Sequence, residues 1–374
     1  MGFFSSDLSN EAGVSGQVCI TLLPVAYWRR WLVLLIVAGF CLCLLNACGL
    51  GFLWQASVGQ IKLLARRQPI EQVLQTGDLS LEAQNKLRLV LDVRAFAIDD
   101  LGLHASKNSY TTFVDVGGPY VSYNVSASRK DELEPYIWRF PIVGQVPYKG
   151  FFNKTAARHQ EQKLIAQGYD TYLRGVRAYS TLGYFGDPIL SSMLAYHDFD
   201  LVDTIIHELV HQTVWIKGNV SFNESLASFV AEKATRLYLA QRYGESSSTY
   251  RLFLDLQADE TIFQAYMQGV IKHAEVLYAQ PLSREEKLRR REQLFLAARN
   301  DYPSIFPRMK TKRYQRFFER RQLNNAVLLS FRRYHRDMSF FEQTLASQGG
   351  DVRRMIAYVK MLRSDDIPDT FQAQ

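Results

Sequence analysis

The stretch TIIHELVHQTV, from Thr204 to Val214, followed by FNESLASFVAE, from Phe222 to Glu232, decides how this chain is read. On a helix of 3.6 residues per turn, positions four apart are separated by only about 40°, so the rings of His207 and His211 leave one face and can reach one ion. Leu201, Val202, Ile205, Leu209 and Val210 give that helix an apolar body, and Glu208 is the only charge between Thr204 and Val214. Asp198 or Asp200 stands where a cap for its start is needed. Lys217-Gly218-Asn219 predicts a stop and a reversal; Asn223 is then a cap for a second helix through Leu226, Phe229, Val230 and Leu237, opened by Glu224. Twelve residues separate His211 from Glu224, enough for a closing turn, a tight loop and the return of a carboxylate to the ion. Zinc takes such a set of three protein ligands, keeps a fourth position for water and lowers the pKa of that water to about 7. Glu208 would take the water's proton and pass it to a leaving amine. HExxH also arises as two incidental histidines on a surface or core helix, and the uncharged flanks together with Glu224 are what separate the two readings.

These motifs resemble those of the gluzincin metallopeptidases, in which the third ligand is a glutamate on the helix after HExxH. Most of all the chain is similar to the bacterial family of predicted zinc aminopeptidases made as membrane-anchored lipoproteins. The similarity runs in order through FPIVGQVPYKGFF (Phe140 to Phe152), AYSTLGYFGDPILSSML (Ala178 to Leu194), HELVH, NESLASF, LNNAVLLSFRRYH (Leu323 to His335) and QGGD (Gln348 to Asp351). It implies one Zn2+ per chain on His207, His211 and Glu224, Glu208 as general base, and a peptide substrate. It also implies an α+β, zincin-like fold: a small α/β sheet subdomain before the HExxH helix and a mainly helical carboxy-terminal half. There are departures. The spacing from His211 to Glu224 is shorter than in the best-known gluzincins, and Ser228 stands where some of them have an aspartate that orients a histidine. Cysteines associated with the segment around Arg139 and Gln145 are absent, as is the signature by which large zinc aminopeptidases grip a free amine, so the word aminopeptidase rests here on the resemblance.

The amino-terminal end carries a second signal. Arg29 and Arg30 precede an apolar run from Trp31, and Leu45-Asn46-Ala47-Cys48 has the form of a lipobox, with Gly49 after it. Cleaved there, residues 1–47 are a lipoprotein signal peptide and Cys48 carries the lipid. Left uncleaved, residues 31–54 or thereabouts form a membrane anchor whose start the two arginines hold in the cytoplasm. Either way the expected location is the cell envelope, with the catalytic part facing the periplasm or the exterior. Cys19, Cys41 and Cys43 precede the lipobox cysteine, so the mature chain has neither a thiol nor a disulfide.

Residues 48–374 read as a single metallopeptidase domain: helical over 48–105, α/β over 106–200, then the metal site and the helical half over 201–374. Strands are expected at Thr111 to Val116 and Tyr120 to Val125, a helix from about Lys154 to Gln167, and a last strand near Tyr172 to Ser180. Tyr179 to Pro188 is either an edge that takes substrate backbone by β-augmentation, with Tyr184 and Asp187 touching substrate, or a plain strand and turn. A donor for the oxyanion is sought in the helical half, at Tyr334 first and His335 second; an ordinary half-buried tyrosine is the other reading. His104, His159, His197 and His273 have no partners at ligand spacing and are left as structural or surface residues. The net charge of +7 is concentrated between Arg284 and Arg336, with 16 Lys and Arg against five Asp and Glu, which fits an anionic surface or simply a solvated face. No phosphate loop, dinucleotide fingerprint or serine nucleophile motif is present, and nucleic acid is a poor partner for an exported chain. Besides a peptidase, two other classes fit the sequence: a zinc hydrolase of a non-peptide amide, and a non-catalytic envelope lipoprotein with a zincin-like binding fold. The intact Glu208 argues against the last.

Overall fold

Leu87, Val90, Val93 and Ala97 recur at helical spacing and are wholly buried, which makes the helix that carries them the inner wall against which the HELVH helix packs. The computed structural model describes residues 50–140, 144–178, 186–332 and 338–372, and Trp54–Gln374 is one compact unit. It opens with helix α1 (Leu50–Ala65), a short strand β1 (Gln68–Pro69), α2 (Ile70–Thr76) and the wall helix α3 (Leu81–Asp99). Strands β2 (Thr112–Val114), β3 (Ser122–Ser128), β4 (Trp138–Phe140), β5 (Gly144–Val146) and β6 (Lys149–Phe151) follow, then α4 (Lys154–Ala166), β7 (Asp170–Val176) and β8 (Ile189–Leu190). The rest is helical: α5 (Asp198–Thr213), α6 (Val220–Tyr243), α7 (Ser248–Ala279), α8 (Arg284–Asp301), α9 (Phe317–Arg320), α10 (Asn325–Arg332), α11 (Ser339–Ser347), α12 (Val352–Val359) and α13 (Asp369–Gln372). The architecture is therefore mixed α/β and predominantly helical, with small sheets ahead of α5.

The sheets are short because the strand segments are short. β1, β2 and β8 form one sheet, antiparallel between β1 and β2 and parallel between β2 and β8. In a second sheet β3 lies between β6 and β7, paired antiparallel to both, and β7 matches it from Ser122↔Val176 to Ser128↔Asp170. β4 and β5 make a hairpin in which Arg139 lies opposite Gln145, so the two positions where the resemblance led us to look for cysteines are cross-strand partners.

Two apolar clusters fill the unit. The larger joins α3, β2, β8, α5, α6, the start of α7 and the final helices, with Phe222, Phe229, Phe341 and Phe371 in tilted and edge-on ring contacts where the helices at the carboxy-terminal end pack on α6. The smaller gathers Phe263, Met267 and Ile271 of α7 with α8, α10 and Tyr302. α7 belongs to both and ties them together. Polar bonds lock the second cluster: Arg291 pairs with Asp170 in the interior, and Asp170 accepts the backbone N–H of Asn325 at 2.9 Å. The Asn325 amide donates to the carbonyls of Arg129 and Glu132 at 2.8 and 2.9 Å and accepts from the Tyr278 hydroxyl at 2.8 Å. Asn324 caps the start of α10 through Val327 N–H at 2.9 Å. The LNNA motif is thus architectural. Much of the basic run after Arg284 is likewise occupied in ion pairs, among them Arg289 and Arg290 with Glu286 and Arg316 with Glu319. No helix among the described residues is long and apolar enough to cross a membrane, and the signal-peptide reading, Cys48 included, falls on residues outside that set.

Candidate metal centre

α5 is apolar on most of its circumference: Leu201, Val202, Ile205, Ile206, Leu209 and Val210 are buried. What remains is a polar stripe of Asp203, His207 and His211, each four residues from the next, flanked by Glu208 and Gln212. α6 repeats the pattern, burying Phe222, Leu226, Phe229 and Val230 and leaving Glu224, Ser228 and Glu232 exposed along one line. Among the described elements no other pair packs as extensively as these two, and the two polar stripes meet. The caps differ from those expected. His197 precedes α5 and no side chain caps it; Asp198 and Asp200 lie in its first turn, where their charge still favours the helix amino terminus. α6 starts at Val220, so Asn223 is not its cap and Glu224 does not open it. Asn223 instead turns back, accepting the Ile216 N–H at 2.9 Å and donating to the Ile216 carbonyl at 2.8 Å. With Gly218 in the left-handed region at φ +83°, those two bonds set the return of the chain, and Glu224 is the next residue.

The result is a compact donor set. His207 Nε2 and His211 Nε2 are 3.1 Å apart, and the Glu224 carboxylate turns one oxygen to each ring, 3.5 Å from either. Bonds of about 2.0–2.1 Å at tetrahedral angles put zinc ligands about 3.3–3.4 Å from one another; the two nitrogens are near that spacing, and the three residues offer one ligand atom each within 4.8 Å of one another. His, His and Glu are also the only group of this kind among the described residues. The His211 side chain is 2% exposed, that of His207 20% and that of Glu224 53%, so the set is anchored in the core and open on the glutamate side. Hydrogen bonds from both imidazoles hold the Glu224 carboxyl well below the usual range. Burial works against a charged His207, but the carboxylates of Glu224, Glu208 and Asp203 outweigh it and raise its pKa. His211 Nδ1 is buried with no hydrogen-bond partner, consistent with Ser228 standing where an orienting carboxylate was sought. Trp215 lies edge-on to the His211 ring, with centroids 5.4 Å apart.

Glu208 lies half-buried beside the set, and no described residue hydrogen-bonds or ion-pairs its carboxylate. Asp203 was missed by the sequence reading, although a carboxylate four residues before His207 on an apolar helix was the signal for it. Its carboxyl has no hydrogen bond or ion pair with a described residue, and burial, reinforced by Asp200 and Glu232 and opposed by His207, pushes it up to about 7. Asp200, Asp203 and Thr204 line a cavity of about 700 Å³ that runs along this half of α5, with Arg177, Tyr196 and Arg313 on the far wall. Asp187, expected to touch substrate, is instead 1% exposed, and its carbonyl accepts the Tyr110 N–H at 2.7 Å; it is part of the interior behind α5. Tyr184, Tyr334 and His335 lie outside the described residues, as does most of the candidate edge strand, whose described end is Gly186–Pro188 before β8.

The family model described as "Putative aminopeptidase" matches residues 51–372. The chain belongs to that family. The aminopeptidase family model covers both helical regions, all the sheets and the α5–α6 pair, so the donor set falls inside the matched region. No curated protein and no solved structure matches this member of the family.

Proposed function

We propose that this aminopeptidase-family chain is a zinc-dependent peptidase of zincin-like fold that removes residues from the free amino end of peptides. The observation that carries the reading is the convergence of His207, His211 and Glu224, each offering one ligand atom within 4.8 Å of the others, with the unpaired carboxylate of Glu208 beside them. Zinc held by those three residues would supply a Lewis acid for the scissile carbonyl and a water acidic enough to ionise near neutral pH. Glu208 takes a proton from the attacking water and delivers it to the departing amine, for which its freedom from protein partners suits it. In the metal-free chain the two imidazoles hold the Glu224 carboxyl well below the usual range, so it would meet the ion already ionised. Asp203 supports the exopeptidase half of the reading. A terminal ammonium needs a carboxylate close to the scissile bond, and Asp203, on the same helix face as the ligands, is an unpaired one with acidic neighbours in Asp200 and Glu232. The tether read from Arg29 to Cys48 belongs to the same proposal and would hold the enzyme at the envelope.

Glu208→Gln tests the mechanism. The ligands survive, so the variant should keep its zinc and lose turnover by about a hundredfold or more, the scale of general base catalysis. Turnover close to that of the parent protein would sink it.

A further inference from the structure

Tyr110 stands out on three counts. Among the described residues it is the only non-glycine in the left-handed region, at φ +59°. A bulky aromatic side chain is disfavoured there, and such strain persists only where the surroundings impose it. Its ring is buried at 2% exposure, and burial, with the charges of Glu208 and then Asp187, pushes the hydroxyl pKa well above the ordinary tyrosine value. The hydroxyl is therefore a donor at any working pH. No described residue takes a hydrogen bond from it.

The surroundings that impose this conformation can be named. The loop before Tyr110 is fastened to the carboxy-terminal turn of α5: His104 N–H donates to Thr213 Oγ1 at 2.8 Å, Ser106 N–H to Gln212 Oε1 at 3.2 Å, and Ser109 Oγ to the same Gln212 oxygen at 3.0 Å. Arg94 Nε of α3 donates to the Ser109 carbonyl at 2.8 Å, and Tyr110 N–H to the Asp187 carbonyl at 2.7 Å. On the other side Gly186 sits so close to Asn108 that an added Cβ would come within 2.7 Å of the Asn108 Cβ. Gln212 is four residues after Glu208 on the same face of α5, and Ser109, bonded to Gln212, immediately precedes Tyr110, whose hydroxyl feels the Glu208 charge. Such fastening from four directions is more than a surface connection requires.

We propose that Tyr110 is a positioning residue for the general base, its hydroxyl donating to the Glu208 carboxylate once substrate closes the cleft. This rests on the peptidase reading above. Hydrogen bonds of this kind are commonly long or absent before substrate binds and tighten in the complex. The donor would hold one carboxylate oxygen and leave the other turned to the attacking water. It would be formed from the amino-terminal side of the cleft, independently of any donor in the helical half.

The test is Tyr110→Phe, which keeps the ring, the packing and every backbone bond of the loop. With zinc content unchanged, kcat should fall about tenfold to a hundredfold while KM stays within about twofold, since the lost interaction belongs to the reacting complex. Tyr110→Phe combined with Glu208→Gln should be no slower than Glu208→Gln alone. Parental kcat in Tyr110→Phe, or losses that simply multiply in the double variant, would overturn the proposal. If the parent protein shows no zinc-dependent cleavage, the peptidase reading fails and this proposal fails with it; zinc-dependent cleavage with parental kcat in Tyr110→Phe overturns this proposal alone.

Discussion

Asn223 offers the sharpest check on how His207, His211 and Glu224 come together. It is not one of the three, yet it ties the reversal after α5 to the first turn of α6, immediately before Glu224. Asn223→Ala removes both bonds; the N–H of the buried Ile216 loses its partner, while the Ile216 carbonyl keeps the Asn219 N–H at 3.2 Å. The unsatisfied N–H costs about 1–3 kcal/mol and the second lost bond about 0.5–1.5 kcal/mol, so the substitution should cost about 2–4 kcal/mol. Over a folded unit of this size that corresponds to a fall in melting temperature of about 3–6 °C, from an unfolding entropy near 2.1 cal/mol/K per residue. Asn223→Asp keeps an acceptor for the Ile216 N–H but sets a charge against the carbonyl, so it should lie at least as low as the alanine variant when the carboxylate is ionised. Because Glu224 follows directly, zinc affinity should fall with stability, by about tenfold to a hundredfold, the range seen when a group that orients a metal ligand is lost. Calorimetry with and without zinc, and competition against a chelator, read both. A variant with parental melting temperature and parental zinc affinity would refute the idea that this amide places Glu224.

Three further outcomes are expected. Burial holds the Asp203 carboxyl up to about 7, above its unfolded value, so its protonation stabilises the metal-free fold below about pH 4 and that contribution is lost as the pH rises through about 7. Asp203→Asn should therefore melt higher than the parent at about pH 8 and no differently at about pH 4, while raising KM for free peptides about tenfold; an unchanged KM removes Asp203 from amine binding. His207 has a raised pKa, so in the metal-free protein its charge adds stability that is present below the ordinary histidine value and lost as the pH rises through the folded one. Zinc must displace that proton, and the melting shift it produces should shrink as pH falls from about 8 to about 6; a shift independent of pH contradicts the ligand role. Asn325→Ala breaks the buried network under α10 and should lower stability by about 2–4 kcal/mol with zinc content and kcat unchanged; lost activity in a folded, zinc-loaded protein would show that LNNA has a chemical role.

The closeness of His207, His211 and Glu224 was legible in the sequence because it is local. Two imidazoles four residues apart need only a helix, and Glu224 needs only one short reversal marked by Gly218. The details of that reversal were not legible. α6 begins at Val220, three residues before the asparagine that looked like its cap, because Asn223 finds a better use in the two backbone groups of Ile216. Asp187 sits in a loop whose Gly-Asp-Pro sequence suggests an exposed turn, but close packing of Gly186 on Asn108 carries it inside. Tyr110 could not have been found from sequence, since its neighbourhood is made by bonds from Ser106 and Ser109 to a residue more than a hundred positions away. Asp203 could have been found. It continues the stripe of His207 and His211 by one turn towards the start of the same helix.

The most direct test of the account measures zinc content and peptide hydrolysis on one preparation of the protein, using a mixed library of free and amine-blocked peptides. The account predicts one zinc per chain and cleavage of the free peptides alone, abolished by a chelator and restored by zinc. Cleavage of blocked peptides would contradict the exopeptidase assignment, and a protein that binds no zinc would contradict the reading of His207, His211 and Glu224 from which everything else follows.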